Sequence, residues 1–265
     1  MKKYGVTKRV LIPLMLIISG TLMLLPVAWA SDELPLHSVT LPDFAKIRDI
    51  KQKKKAFFNF IKPAIISENK KLLALRQEVQ SWLGKSLNQE ALSSQEKVKL
   101  LALVNHYKVN TSASLSDQLN SLLLRIDLVP VPLVLVQAAN ESAWGTSRFA
   151  RMGLNFFGIW CYRPTCGMVP KHRQADAKHE VAAFKSVNTA VKRYLYNINT
   201  NRAYRLFRTM RKQLREEGKP LKAEVLVQGL LSYSERGADY VTELSDMIRQ
   251  NRAYFDVNAE GNEKS

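Results

Sequence analysis

The sequence predicts a mainly helical protein, on three observations. Apolar residues return at helical spacing through Ile65 to Leu83, Gln89 to Tyr107 and Ser116 to Leu128. Pro130 and Pro132 then punctuate the chain. Beyond them an apolar run carries one carboxylate, Glu141, to the point where the helix should break, and aromatic residues follow.

At the N-terminus, Lys2, Lys3, Lys8 and Arg9 form a basic region and Val10 to Leu25 an apolar one. Ala28-Trp29-Ala30 supplies a small-x-small cleavage pattern. A secretory signal over residues 1–30, cut after Ala30, is expected, with a periplasmic or secreted product. An uncleaved inner-membrane anchor is the alternative, because the apolar stretch is long enough to span a bilayer. Cleavage removes four positive charges and takes the formal net charge from +17 to +13. So basic a surface concentrates anions. For an exported chain these are wall polymers and anionic membrane headgroups rather than nucleic acid, although a basic face can also be merely solvated.

Residues 31–114 read as a linker followed by helices. Ser31 to Pro42 lacks a helical period and is expected to be mobile. Asp43 to Lys62 is charge-dense, with Lys51, Lys53, Lys54 and Lys55 beside Phe57, Phe58 and Phe60. Such a helix either packs its aromatics inward or lays them on a membrane or wall. Gly84 offers a stop to the next helix. A functional module is expected from about Leu115, covering residues 115–254, with a flexible tail over 255–265.

Within that module Pro132 suits the first turn of a helix, where its missing N–H costs nothing. Val134, Ala138 and Glu141 then share one face. A carboxylate continuing an apolar stripe is partly buried, which disfavours its charged form and keeps a proton available for general-acid work. Trp144 would shield it. The alternative is a helix-end glutamate that is solvated or bonded to a neighbour. Further helices are expected over Val187 to Phe207, interrupted near Asn199, over Ala223 to Leu231 and over Tyr240 to Gln250.

Gln137 to Gly145, with the pattern E-S-x-W-G, and Asn155 to Ile159, with N-x-F-G-I, resemble the glucosaminidase family of bacterial wall hydrolases, and within it the exported bacterial group called Bax. The resemblance spans roughly Leu115 to Asn251. It implies an α+β, mainly α, lysozyme-like domain with a small β-lobe, preceded here by the N-terminal helical region. It also implies cleavage of β-1,4 linkages after N-acetylglucosamine in peptidoglycan glycan strands. Glu141 matches the family's general acid. Tyr233 to Tyr240 matches its tyrosine segment, giving Tyr233 a catalytic-cleft role and Tyr240 a place on the substrate.

Glycoside cleavage generally pairs the acid with a base or nucleophile. Glu180, where the family's β-lobe strand falls, is the first candidate, with Asp176 and Glu235 in reserve. If the substrate's own acetamido group acts as nucleophile, no second carboxylate is essential. Phe156, Phe157, Trp160 and Tyr162 offer flat faces for sugar rings, half of them expected in the core. Trp144, Asn155, Phe157, Trp160 and Tyr240 are the candidate substrate contacts, with Asn155 suited to an acetamido group.

Cys161 and Cys166 are the two cysteines of the chain. In an exported protein a disulfide is the default. A zinc site with His172 and His179, or a Cys/His nucleophile pair, are the alternatives. The expected hydrolase needs no cofactor and no metal. An amidase acting on stem peptides and a non-catalytic wall-binding protein are the competing functions.

Overall fold

The computed structural model describes residues 34–170, 179–233 and 235–255. The expected signal segment, His172, Asp176 and residues 256–265 lie outside these. From Leu34 onward the chain belongs to one compact unit, and it is mainly helical with one small sheet, as the sequence predicts.

Helix α1 (Ile50–Leu87) starts at Asp49, whose side chain accepts the Gln52 N–H at 2.7 Å. It is continuous for 38 residues, passing both Pro63 and Gly84. The expected stop at Gly84 is therefore displaced to Asn88, whose N–H bonds back to the Gly84 carbonyl at 3.0 Å. Packing overrides the local breakers. The first half of α1 buries Phe57, Phe58, Ile61, Ala64 and Ile65 in the main core, so the aromatics turn inward. Its second half buries Val79 and Trp82 in a separate core with α2 (Ser94–His106) and α3 (Leu115–Arg125). No break in packing falls at residue 115, since the main core draws on both sides of that position.

The segment read as a mobile linker is tied down. Leu36 N–H donates to Met152 O at 2.8 Å and Lys185 Nζ to Leu36 O at 3.2 Å, while Phe44 is buried against Phe57. These contacts hold it against α5 (Arg148–Gly153).

Between α3 and α4 (Val131–Glu141) lies a charged knot. Arg215 grips buried Asp127 with Nε at 3.1 Å and Nη2 at 2.8 Å, and Arg76 Nη1 stands 3.5 Å from the same carboxylate. Arg211, fully buried, donates to the carbonyls of Leu124, Asp127 and Leu128. Burial pushes the Asp127 carboxyl up, but the Arg215 bonds and the charges of Arg211 and Arg76 outweigh it and leave it below the usual range. Arg211 is itself pushed down to about 10 by burial. The surplus positive charge is taken up by carbonyls at the C-terminal end of α3, the negative pole of that helix. This knot fixes the place where α4 begins.

Strands β1 (Trp160–Cys161), β2 (Gly167–Met168) and β3 (Glu180–Ala182) form an antiparallel sheet in the order β1-β3-β2. Gly167 is required there, because a β-carbon would fall 2.0 Å from the Val181 carbonyl oxygen. Helix α6 (Val187–Thr200) runs on through a 3-10 turn (Arg202–Tyr204) into α7 (Arg205–Glu216). The interruption falls at Asn201, close to the expected Asn199. Helix α8 (Ala223–Leu226), a second 3-10 turn (Val227–Leu230) and α9 (Ala238–Gln250) complete the fold, and Phe255 packs back on Phe58.

Candidate active site

Helix α4 is buried from Leu133 through Ala139, and Glu141 is its last residue. The chain then turns sharply, with Ala143, Trp144 and Gly145 all at positive φ (49°, 58° and 77°). Two of the three are non-glycine residues, a strained arrangement that surrounding contacts must hold. Ser142 holds it: its hydroxyl donates to Ala138 O at 2.6 Å and accepts the Gly145 N–H at 2.9 Å. The E-S-x-W-G pattern thus has a mechanical meaning. It stops the helix so that the Glu141 carboxylate projects from the end of a buried rod.

A directional chain of hydrogen bonds reaches that carboxylate. The Tyr194 hydroxyl donates to Gln137 Oε1, which leaves Gln137 Nε2 to donate to Tyr240 Oη at 3.1 Å. Tyr240 in turn donates to Glu141 Oε1 at 2.9 Å. Gln137 lies one helical turn before Glu141, so both side chains share a face. Burial pushes the Glu141 carboxyl above the usual range; the Tyr240 bond opposes this, the Glu243 charge adds to it and the Arg236 charge subtracts. Tyr240 is pushed well up by burial, then by the charge of Glu141.

Tyr233 stacks on Tyr240, with ring centroids 5.3 Å apart and planes 5° from parallel, and donates to Phe157 O at 3.1 Å. Tyr204 tilts against it at 5.6 Å. Burial raises the pKa of Tyr194, Tyr204, Tyr233 and Tyr240, and the charge of Glu141 adds to the rise in each.

The turn opposite is built by Asn155. Its Oδ1 accepts the Phe157 and Ile159 N–H groups at 3.3 and 3.0 Å, and its Nδ2 donates to Ile159 O and Ala182 O at 2.8 and 2.9 Å. Gly158, at φ 62°, is thereby set beside the acid, where a β-carbon would lie 3.5 Å from Glu141 Oε2. The expectation that Asn155 meets an acetamido group is corrected: the side chain is buried and its donors and acceptor are spent on the backbone. Phe157 is likewise no ligand contact but core, stacked on Tyr194 at 4.2 Å.

Trp160 is 50% exposed and stacks on His179 at 4.1 Å, an aromatic surface open to solvent, and Tyr162 is exposed beside it. Trp144 packs against Phe57 and Phe58 with Lys54 Nζ 5.3 Å over its ring. Glu180 is buried; its two oxygens accept the N–H groups of Thr165 at 3.0 Å and Gly167 at 2.8 Å. Its carboxylate therefore braces the loop between Cys161 and Cys166, which are joined in a disulfide. The bond occupies both sulfurs, so neither the zinc set nor the Cys/His nucleophile has its thiolate. Glu235 is exposed. Tyr194, Tyr204 and the role of Gln137 escaped the sequence reading, although buried tyrosine hydroxyls on apolar faces demand partners.

A sequence profile described as mannosyl-glycoprotein endo-beta-N-acetylglucosaminidase, the glucosaminidase family, matches residues 117–253. The Escherichia coli K12 protein named bax is 34% identical over 216 residues, which cover 81% of this chain and 76% of that protein. No solved structure matches.

Proposed function

The chain belongs to the glucosaminidase family, and from that premise we propose that it is an exported hydrolase of the peptidoglycan glycan strand, of N-acetylglucosaminidase type, with Glu141 as general acid. The observation that carries this reading is the Glu141 carboxylate itself. It ends a buried helix, burial holds it toward the protonated form, and the Tyr194–Gln137–Tyr240 chain fixes one oxygen. The other lies beside Gly158.

In the reaction Glu141 gives its proton to the glycosidic oxygen as the C1–O bond breaks. Glu180 spends both oxygens on backbone amides, which favours the route in which the acetamido carbonyl oxygen of the substrate attacks C1. Water then opens the resulting ring and returns a proton to Glu141. Tyr233 and Tyr240 line the acid's side of the cleft, and Trp160 offers a face on which a sugar ring can stack. An amidase using an activated thiol is disfavoured by the disulfide.

Export is part of the proposal: cleavage after Ala30 and the disulfide belong to one oxidising compartment. Among the described residues no helix is long and apolar enough to cross a membrane. The net positive charge suits a polyanionic wall or membrane surface. Mass analysis of the products from purified sacculi tests the activity. New reducing ends should be N-acetylglucosamine; released peptides with intact strands would replace this reading with an amidase. Intact mass of the exported protein checks the cleavage site.

A further inference from the structure

The hydrogen bonds behind Glu141 run in one direction, and that direction is set at Tyr194. Its ring is buried and stacked on Phe157, and among the described residues Gln137 is the one hydrogen-bond partner of its hydroxyl. A hydroxyl has one proton and two lone pairs. Were it to accept from Gln137, its own O–H would be buried without an acceptor, at the full cost of desolvating a polar group. Tyr194 therefore donates, Gln137 Oε1 accepts, and the amide has to turn Nε2 to Tyr240 Oη at 3.1 Å.

Gln137 is fully buried on α4, so it meets no substrate and acts on the site only through Tyr240. With an N–H arriving on its oxygen, the Tyr240 hydroxyl keeps its own proton for Glu141 Oε1 at 2.9 Å. That decides more than the strength of a bond. A protonated carboxyl group holds its proton on one oxygen and accepts with the other. Oε1 is occupied as the acceptor, which leaves Oε2 for the proton. Among the described residues Oε2 makes no hydrogen bond, and it lies beside Gly158, where a β-carbon would stand 3.5 Å away.

Resting on the hydrolase reading, we propose that Gln137 is a positioning residue of the reaction: its N–H turns the Tyr240 proton onto Glu141 Oε1 and so seats the catalytic proton on Oε2. In the cleavage step the Oε2–H bond breaks, that proton forms the O–H of the departing hydroxyl as C1–O opens, and Tyr240 keeps its own proton throughout. Without the amide, Tyr240 Oη is free to accept from Glu141, which draws the proton to Oε1 and away from the glycosidic oxygen.

The test measures cleavage of soluble glycan strands by the processed full-length protein, at a pH below the basic limb so that Glu141 is protonated in every variant. Gln137→Met, close in volume, should lower kcat about tenfold, short of the loss of the acid itself, with KM changed by less than about twofold. In the Tyr240→Phe background the same substitution should change kcat by less than about twofold, because no hydroxyl is left to direct. Tyr194→Phe, which frees the amide to flip, should show a smaller loss with the same dependence on Tyr240, and it serves where Gln137→Met does not fold. Difference infrared spectra, with Glu141→Gln identifying the band, read the seat of the proton directly. The Glu141 C=O stretch, lowered in wild type by the Tyr240 bond, should rise in Gln137→Met and in Tyr194→Phe. Losses that add across the two sites, or a stretch that does not move, overturn the proposal and leave the hydrolase standing. Wild-type protein that cuts no glycan removes the hydrolase, and the infrared shift alone then decides where the proton sits.

Discussion

The Tyr240 hydroxyl donates to Glu141 Oε1 at 2.9 Å across 99 residues of sequence. That bond stabilises the carboxylate and restrains the upward push of burial. A general acid works protonated, so the rate falls as pH rises through its pKa. Tyr240→Phe removes the restraint, raises the Glu141 pKa and should move the basic limb of kcat/KM to higher pH. A hydrogen bond to a charged group contributes roughly 1.5–3 kcal/mol, which corresponds to a shift of about one to two pH units. An unmoved or lowered limb would uncouple Tyr240 from the acid.

Glu141→Gln should cut glycan cleavage by about two to four orders of magnitude, the usual loss on removing general-acid help. It should also raise stability at pH 7. The folded pKa lies above the unfolded value, so the folded state holds the proton more tightly, and stability falls as pH rises through that window. Glutamine removes the penalty. Thermal melts should show the gain at pH 7 and little of it at pH 4. Near wild-type turnover by this protein would overturn the catalytic assignment.

What the sequence made legible was local. The stripe Val134, Ala138, Glu141 and the break expected at that carboxylate are local arguments, and the helix does end at Glu141. Punctuation failed where long-range packing opposed it: Gly84 sits inside α1 because two cores grip the helix. Asn155 misled for a related reason. An asparagine before a glycine-containing turn can serve a ligand or close the turn on itself, and its bonds to Ile159 and Ala182 are visible only once β3 is in place. Tyr240 came forward as a substrate contact, but its partners Gln137 and Glu141 arrive from another helix. The Asp127 knot gave no local signal at all, since its arginines come from α1 and α7 and looked like part of a basic surface.

Glu180→Gln separates a brace from a base. Its carboxylate accepts two backbone N–H groups, and an amide would turn a donor toward one of them. Activity should fall less than about tenfold, well short of the loss expected for a removed base, with the pH profile unchanged. Protection of the Thr165 and Gly167 amides from hydrogen exchange should drop. A loss rivalling that of Glu141→Gln would return Glu180 to the chemistry.

Cys161 and Cys166 should resist alkylation until a reductant is added, because they are bonded to one another. The enclosed loop is short, so the chain-entropy contribution is below that of long-loop bridges. Replacing both by serine should therefore lower the global melting temperature little while loosening the loop that Glu180 braces. Two thiols reacting at once in freshly exported protein would sink the assignment.

Asp127→Ala should be the most destabilising of these changes. The carboxylate is 1% exposed and faces Arg76, Arg211 and Arg215. Arg211 is as deeply buried, and removing its counter-charge leaves a cation in the interior with backbone carbonyls as partners. Breaking a buried pair from one side costs roughly 3–5 kcal/mol. The lower end applies here, since Arg215 is partly exposed and the carbonyls remain, and for a chain of this size it corresponds to a fall of about 6–12 °C in Tm. The pH dependence has the opposite sign to that of Glu141. The folded pKa of Asp127 lies below its usual value, so its contribution is present above that usual value and is lost as pH falls through the folded one. Urea melts of the two proteins should differ widely at pH 7 and converge in acid. A gap that persists unchanged below the folded pKa would mean that Asp127 acts through shape and its backbone, not through charge.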